Sequence, residues 1–324
     1  MSNVIVSRNR KSLEMKELGA KTLEELTEWT ERHPLSAGSS ASSKSDQKPT
    51  LTVHALQPEA DPIAEDVVLH GDCRQVIPNL PDKLFRASIT SPPYSEQRAS
   101  QYDSISEADY PAFTVDWMDA LRPKLTHDGS VLIVIRAHIR DGEVSDYVLR
   151  TRLAVRAAGW IECDEIIWHK PDAPPLGSLF RPRHSFENIL WFAKSSRPFV
   201  DLLACGNHES TRTGGFVNRN RHGILHSCQN MNVRSGTSRI SDVIRVPVAG
   251  TDRDSEHPAL FPPGLSDFLV QSFSAEGDTI IDPFAGSGTT LLSAMRFNRH
   301  FVGIDTKQKY VENARRRTLQ ARSA

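Results

Sequence analysis

Asp278-Thr279-Ile280-Ile281-Asp282-Pro283-Phe284-Ala285-Gly286-Ser287-Gly288-Thr289-Thr290 reads as a buried strand running into a glycine turn and then a helix. The apolar run at Thr279–Asp282 is of the kind a parallel sheet buries on both faces. Helical spacing takes over at 289–298. Between them Gly286 and Gly288 permit a close backbone approach to a ligand, because glycine has no Cβ and tolerates positive φ. The next apolar run, Phe301-Val302-Gly303-Ile304-Asp305, ends in a carboxylate twenty-three residues after Asp282 (305 − 282). An acid at the tip of a second strand is placed to accept the hydroxyls of a ribose. Strand, turn, helix and strand with that terminal acid predict a nucleotide-binding α/β unit.

The ligand class follows from what the turn contains. It lacks Gly-Lys-Ser/Thr, which a phosphate-cradling loop needs, and it lacks the full Gly-x-Gly-x-x-Gly of dinucleotide sites. Asp282 would repel a pyrophosphate but suit a cationic amino-acid group. That favours S-adenosylmethionine over NAD or ATP, with a plain strand-end cap as the alternative role for Asp282.

The same alternation of short apolar runs and helical periods extends back to Asp66 and predicts a parallel α/β sheet. Further strands are expected at 67–70, 87–90, 130–136, 166–168 and 189–192, and a helix at 110–125. No internal repeat is visible. At the end of the 87–90 run comes Thr90-Ser91-Pro92-Pro93-Tyr94. Each proline fixes φ and lacks an N–H, so the loop is rigid and the carbonyls of Ser91 and Pro92 are left to accept bonds. With Tyr94 beyond them, this is suitable equipment for an extruded base: acceptors for an exocyclic NH₂ and a face for stacking. A proline turn with a core tyrosine is the alternative.

The remaining chain divides by composition. Residues 11–32 predict an amphipathic helix carrying Leu13, Leu18, Leu23, Leu26 and Trp29, and a Ser-rich stretch at 35–45 reads as linker. Residues 1–65 are therefore expected to be an extension, with domain halves at 66–204 and 255–324. Between them, 205–254 loses periodicity. Within 206–253 there are seven Arg against three acids, a composition suited to phosphate contacts and guanine readout. Long loops inside compact folds are usually functional or disordered.

With 324 residues the chain is long enough for a large core, and a net charge of −1 neither supports nor excludes nucleic acid. Its apolar runs fall far short of the roughly 20 residues a membrane span needs. No signal-peptide core is present at the start, so a cytoplasmic protein is expected. Four scattered cysteines predict reduced thiols.

Taken in order, Thr90–Tyr94 upstream and Asp282–Thr290 near the C-terminus resemble the amino-methylating DNA methyltransferases of bacterial restriction–modification systems. The catalytic motif comes first and the cofactor motif last, as in their circularly permuted beta group. Other matching pieces are Gly71-Asp72-Cys73, Tyr110…Trp117…Leu125…Gly129, Ile166-Ile-Trp168-His-Lys170-Pro, Glu187-Asn-Ile-Leu-Trp-Phe-Ala-Lys194 and His257-Pro-Ala-Leu-Phe-Pro262. The similarity runs from about Val67 to Ala314 and is weakest across 205–254.

That resemblance implies a Rossmann-like class I S-adenosylmethionine-dependent fold, a mostly parallel seven-stranded sheet with helices on both faces. It implies catalytic roles for Ser91, Pro92, Pro93 and Tyr94. The cofactor would be held by Asp72, His257, Pro258, Asp282, Pro283, Phe284, Gly286, Ser287, Gly288, Thr289 and Asp305. Residues 205–254 would be the target-recognition insertion, with Arg212, Arg219, Arg221, Arg234 and Arg239 contacting double-stranded DNA at a specific short site. A homodimer is the possible assembly. Ser91, where many adenine-N6 members have Asp, resembles the cytosine-N4 members, acting on host DNA to protect it from a cognate restriction enzyme.

Adenine N6, RNA, or a catalytically silent DNA-binding subunit are the alternatives. Carbon-5 methylation is not expected, since none of the cysteines follows the proline typical of that thiolate nucleophile. Cys205, His208, His226 and Cys228 have zinc-ligand types but poor spacing, and no metal is expected.

Overall fold

The computed structural model describes residues 66–95, 105–173, 180–205, 239–248 and 261–323, together with the backbone of the strands Phe216–Arg219 and Leu225–Cys228. The chain divides into two compact units, Met1–Pro58 and Glu59–Ala324, and every described residue belongs to the second. The helix expected at 11–32 lies outside the described residues.

The main sheet contains β1 (Val67–His70), β2 (Phe85–Thr90), β3 (Leu125–Ile135), β4 (Ile161–His169), β5 (Phe186–Ala193), β6 (Val243–Arg245), β7 (Thr279–Asp282) and β8 (His300–Asp305). Their order across the sheet is β1-β8-β7-β2-β3-β5-β4-β6. Only β5 runs against the rest; all other neighbouring pairs are parallel. The mostly parallel α/β sheet is thus as expected, with one strand more than the seven anticipated. The addition is β6, which pairs with β4 from within the segment read as an insertion.

Among the described residues five helices longer than two turns cover the faces: α1 (Tyr110–Leu121), α2 (Tyr147–Ala157), α3 (Pro263–Phe273), α4 (Thr289–Arg296) and α5 (Gln308–Ser323). Alternation along the strands sorts the core into two layers. Val131, Ile133, Ile135 and Ile281 pack with Trp117 and Leu121 of α1 and Tyr147 and Val155 of α2. On the other face Leu132, Val134, Ile189 and Ile280 pack with Leu265, Leu269 and Phe273 of α3, Leu291 of α4 and Val311 of α5. Because both faces are covered, the strands read as continuous apolar runs rather than alternating ones.

In this topology the C-terminal ends of the parallel strands share one edge of the sheet, and the start of the antiparallel β5 joins them there. β7, carrying the glycine turn, lies between β8 and β2. The crossover from β7 leads through α4 to β8 on one side and that from β2 leads through α1 to β3 on the other, which opens a crevice between the ends of β7 and β2, where α/β sheets place ligands.

Candidate active site

A cleft of about 830 Å³ opens at that edge, within the range of small-molecule sites. Ser91, Pro92, Pro93 and Tyr94 line it beside Asp282, Pro283, Phe284, Gly286, Ser287 and Thr289, with Asp72 and Asp305 further along the edge. The two motifs, 192 residues apart in sequence, meet directly: Thr90 Oγ1 donates to Asp282 Oδ1 at 2.7 Å.

Asp282 is 4 % exposed, and its carboxylate also accepts from the Phe284 amide at 3.1 Å and from Thr290. No cation pairs with it among the described residues. Burial pushes its pKa up to about 6 against those hydrogen bonds. Phe284 is braced by Phe113 and Trp117 of α1, with ring centroids 5.8 and 5.7 Å away, and gives the cleft an aromatic wall.

At the tip of β8, Asp305 receives the Gly286 amide on one carboxylate oxygen and the Lys307 amide on the other, both at 2.9 Å. This ties the second strand to the glycine turn, and each oxygen can accept more than one bond. Gly288 does not line the cleft. With φ +81° it caps the start of α4 and leaves only 3.0 Å between an added Cβ and Ala314. Asp72 caps the helical turn Cys73–Val76 through the Arg74 amide at 2.9 Å. The Arg74 guanidinium, 2.6 Å away, holds its carboxyl below the usual range.

Tyr94 enters the cleft from the proline loop, and its hydroxyl donates to Glu187 Oε2 at 2.7 Å. The phenol is raised well above its usual pKa, first by burial and then by the Glu187 charge, so it stays protonated. Glu187 in turn accepts from Lys170, whose ammonium lies 4.1 Å from the centroid of the Trp168 ring. Trp168, Lys170 and Glu187 all line the cleft without having been assigned a role from sequence. The matching segments 166–171 and 187–194 contained them, but nothing in a linear pattern shows that an antiparallel strand will aim one carboxylate at Tyr94.

His257, Pro258, Arg212, Arg221 and Arg234 lie outside the described residues. Arg219 is described only as backbone within its strand, and Arg239 is exposed. Of the Cys/His set, Cys205 alone has a described side chain, with a thiol raised by burial. Among the described residues no helix is long and apolar enough to cross a membrane.

Comparison with known proteins places this geometry. A family profile described as DNA methylase, the N6/N4 type, matches residues 85–316. The chain is 27 % identical over 297 residues to Type II methyltransferase M.XycI of Xanthomonas campestris pv. cyanopsidis, covering 81 % of this chain and 91 % of the relative. Among solved structures, PvuII DNA methyltransferase, described as cytosine-N4-specific, superposes with a TM-score of 0.59 at 18 % identity, over 78 % of this chain and 88 % of that one. The TTHA0409 putative DNA modification methylase of Thermus thermophilus, solved with S-adenosyl-L-methionine, gives 0.52 at 24 % identity, covering 79 % and 95 %.

Proposed function

The chain belongs to the N6/N4 DNA methylase family, and on that premise we propose that it transfers a methyl group from S-adenosylmethionine to the N4 amino group of a cytosine extruded from duplex DNA. The observation that carries this reading is the meeting of the two motifs in one cleft through the Thr90–Asp282 bond. A buried carboxylate with hydroxyl and amide partners but no cation among the described residues suits the ammonium of the cofactor's methionine end. Phe284 offers an apolar wall, and Asp305 offers acceptors for ribose hydroxyls. Asp72, Pro283, Gly286, Ser287 and Thr289 would complete that side, with His257 and Pro258 nearby in the family pattern.

The cofactor supplies a sulfonium methyl that is already electrophilic, so the protein's task is to position and desolvate. An aromatic amine is a poor nucleophile because its lone pair is delocalised into the ring. Carbonyls of Ser91 and Pro92 would accept its N–H bonds and favour the tetrahedral nitrogen as positive charge develops there. Pro93 keeps the loop from relaxing. Tyr94 would stack on the base. No covalent intermediate is needed.

Ser91 at the head of the motif supports cytosine rather than adenine as target. The Arg-rich stretch in 205–254, flanking the sheet strand Val243–Arg245, supports a DNA-reading role for Arg212, Arg219, Arg221, Arg234 and Arg239 at a specific short site. Protection of host DNA in the cytoplasm, with a homodimer as the assembly, completes the reading.

The test is to incubate the full chain with unmethylated phage DNA and S-adenosylmethionine, digest to nucleosides and analyse by mass spectrometry. N4-methylcytosine is expected. N6-methyladenine as the only product would overturn the base assignment, and cofactor-independent DNA binding with no product would mean a silent subunit.

A further inference from the structure

Glu187 belongs to neither motif, yet its carboxylate lies at the centre of a chain of contacts reaching into the cleft. Oε2 accepts from the Tyr94 hydroxyl at 2.7 Å, and Oε1 accepts from Lys170. Glu187 is 9 % exposed. It is held by the sheet rather than by a loop: Trp168 stands opposite it in the β4–β5 pairing, and the Lys170 amide donates to the Ser185 carbonyl at 2.7 Å. Lys170 is itself held over the Trp168 ring at 4.1 Å.

Tyr94 is supported differently. It follows two prolines after the last β2 residue, and no sheet ladder holds its backbone. A tyrosine ring on such a loop pivots about two side-chain torsions, whereas a base-stacking surface must present one plane. The bond from the Tyr94 hydroxyl to Glu187 fixes where the ring axis points, and because a phenol O–H prefers to lie in the ring plane, a carboxylate held in one place also favours one plane of the ring.

A buried ion pair alone is weak evidence of stabilisation, because desolvation offsets the attraction. A carboxylate shared between an ammonium and a phenol is better accounted for by what it orients. Resting on the methyl-transfer reading above, we propose that Glu187 is a positioning residue that fixes the plane of Tyr94, with Lys170 holding the Glu187 carboxylate in place. The phenol that donates to a carboxylate also carries a more electron-rich ring. Such a face favours the positive charge that develops on the methylated amine.

The experiment compares the native full chain with Y94F, E187A, E187Q and Y94F/E187A. Tritiated S-adenosylmethionine and unmethylated phage DNA give kcat and KM, and calorimetry gives cofactor affinity. Small misplacements in an active site cost up to about a hundredfold in rate, so Y94F and E187A should each lower kcat by about ten- to a hundredfold. Cofactor dissociation constants should stay within about twofold, since the contact lies outside the methionine and ribose subsites. Both single changes break the same contact, so the double variant should be no slower than the slower single one. E187Q keeps an oxygen for the Tyr94 hydroxyl and should recover most of the loss.

Native kcat in Y94F, which removes one oxygen and leaves the fold intact, would overturn the assignment even if E187A failed to fold. So would losses that multiply in the double variant, or an equal loss of cofactor affinity. A native chain that methylates nothing would overturn the methyl-transfer reading itself, a result distinct from any of these.

Discussion

Asp282, proposed above to hold the ammonium of the cofactor, costs the ligand-free fold stability. Its carboxyl has an ordinary value of 3.8 when exposed and is pushed to about 6 by burial in the fold. Between those values the folded chain binds a proton that the unfolded chain has released, so stability falls as pH rises through that window. The loss is on the order of 3 kcal/mol by the usual conversion of about 1.4 kcal/mol per unit. A cationic ligand beside the carboxylate reverses the sign of that interaction. Asp282→Asn should therefore raise the thermal midpoint of the ligand-free protein at pH 7.5 and abolish S-adenosylmethionine binding. Scanning calorimetry and titration calorimetry read the two effects, and a lowered midpoint in the variant would contradict the account. In the native protein, cofactor affinity should strengthen as pH rises through about 6. Asp282 was legible in the sequence because an acid inside a glycine turn is chemically conspicuous. Glu187 and Lys170 were not, because their meaning lies in the register of two antiparallel strands and in where Tyr94 happens to end.

At the level of elements, the β7–turn–α4–β8 unit depends on how closely the helix approaches the sheet. Gly303 lies within β8, and a Cβ built there would stand 2.6 Å from Leu291 Cδ1 and 3.1 Å from Ala285 Cβ. Overpacking of this kind typically costs about 1–3 kcal/mol. Gly303→Ala should accordingly lower the urea midpoint with an unchanged m-value, and an unaltered midpoint would show that α4 shifts freely. Strand cores were readable as apolar runs, and so were both ends of β1 and β7, but the ends of β3 and β4 were not. β4 begins at Ile161 rather than 166, because its first residues include Glu162 and Asp164, which pair in the ladder yet carry no apolar signal. β3 likewise begins at Leu125, five residues before its apolar run. α1 stops at Leu121 and tightens into the turn Arg122–Lys124, where Pro123 removes a donor and disfavours a regular continuation. β6 escaped notice altogether, since three residues in a polar segment show no periodicity at all.

At the scale of the described fold, the chain folds back so that its last two strands insert between its first two. β7 and β8 arrive only after residue 278 but sit between β1 and β2. A chain ending at residue 254 should therefore expose the facing edges of β1 and β2 and lose the α3, α4 and α5 side of the core. It should show no cooperative thermal transition and no near-ultraviolet circular dichroism, whereas a sharp transition would mean that the first half folds alone. The fold class, the order of the two motifs and the chemistry of their residues were determined by sequence, because they rest on local properties: apolar runs, proline and glycine backbone limits, and a carboxylate at each strand tip. Which residues share the cleft was decided only by tertiary structure. The strand order brings Thr90 to Asp282, and the one reversed strand brings Glu187 to Tyr94. Both are long-range pairings set by how the sheet closes, and no local pattern encodes the distance between residues that only the folded sheet makes neighbours.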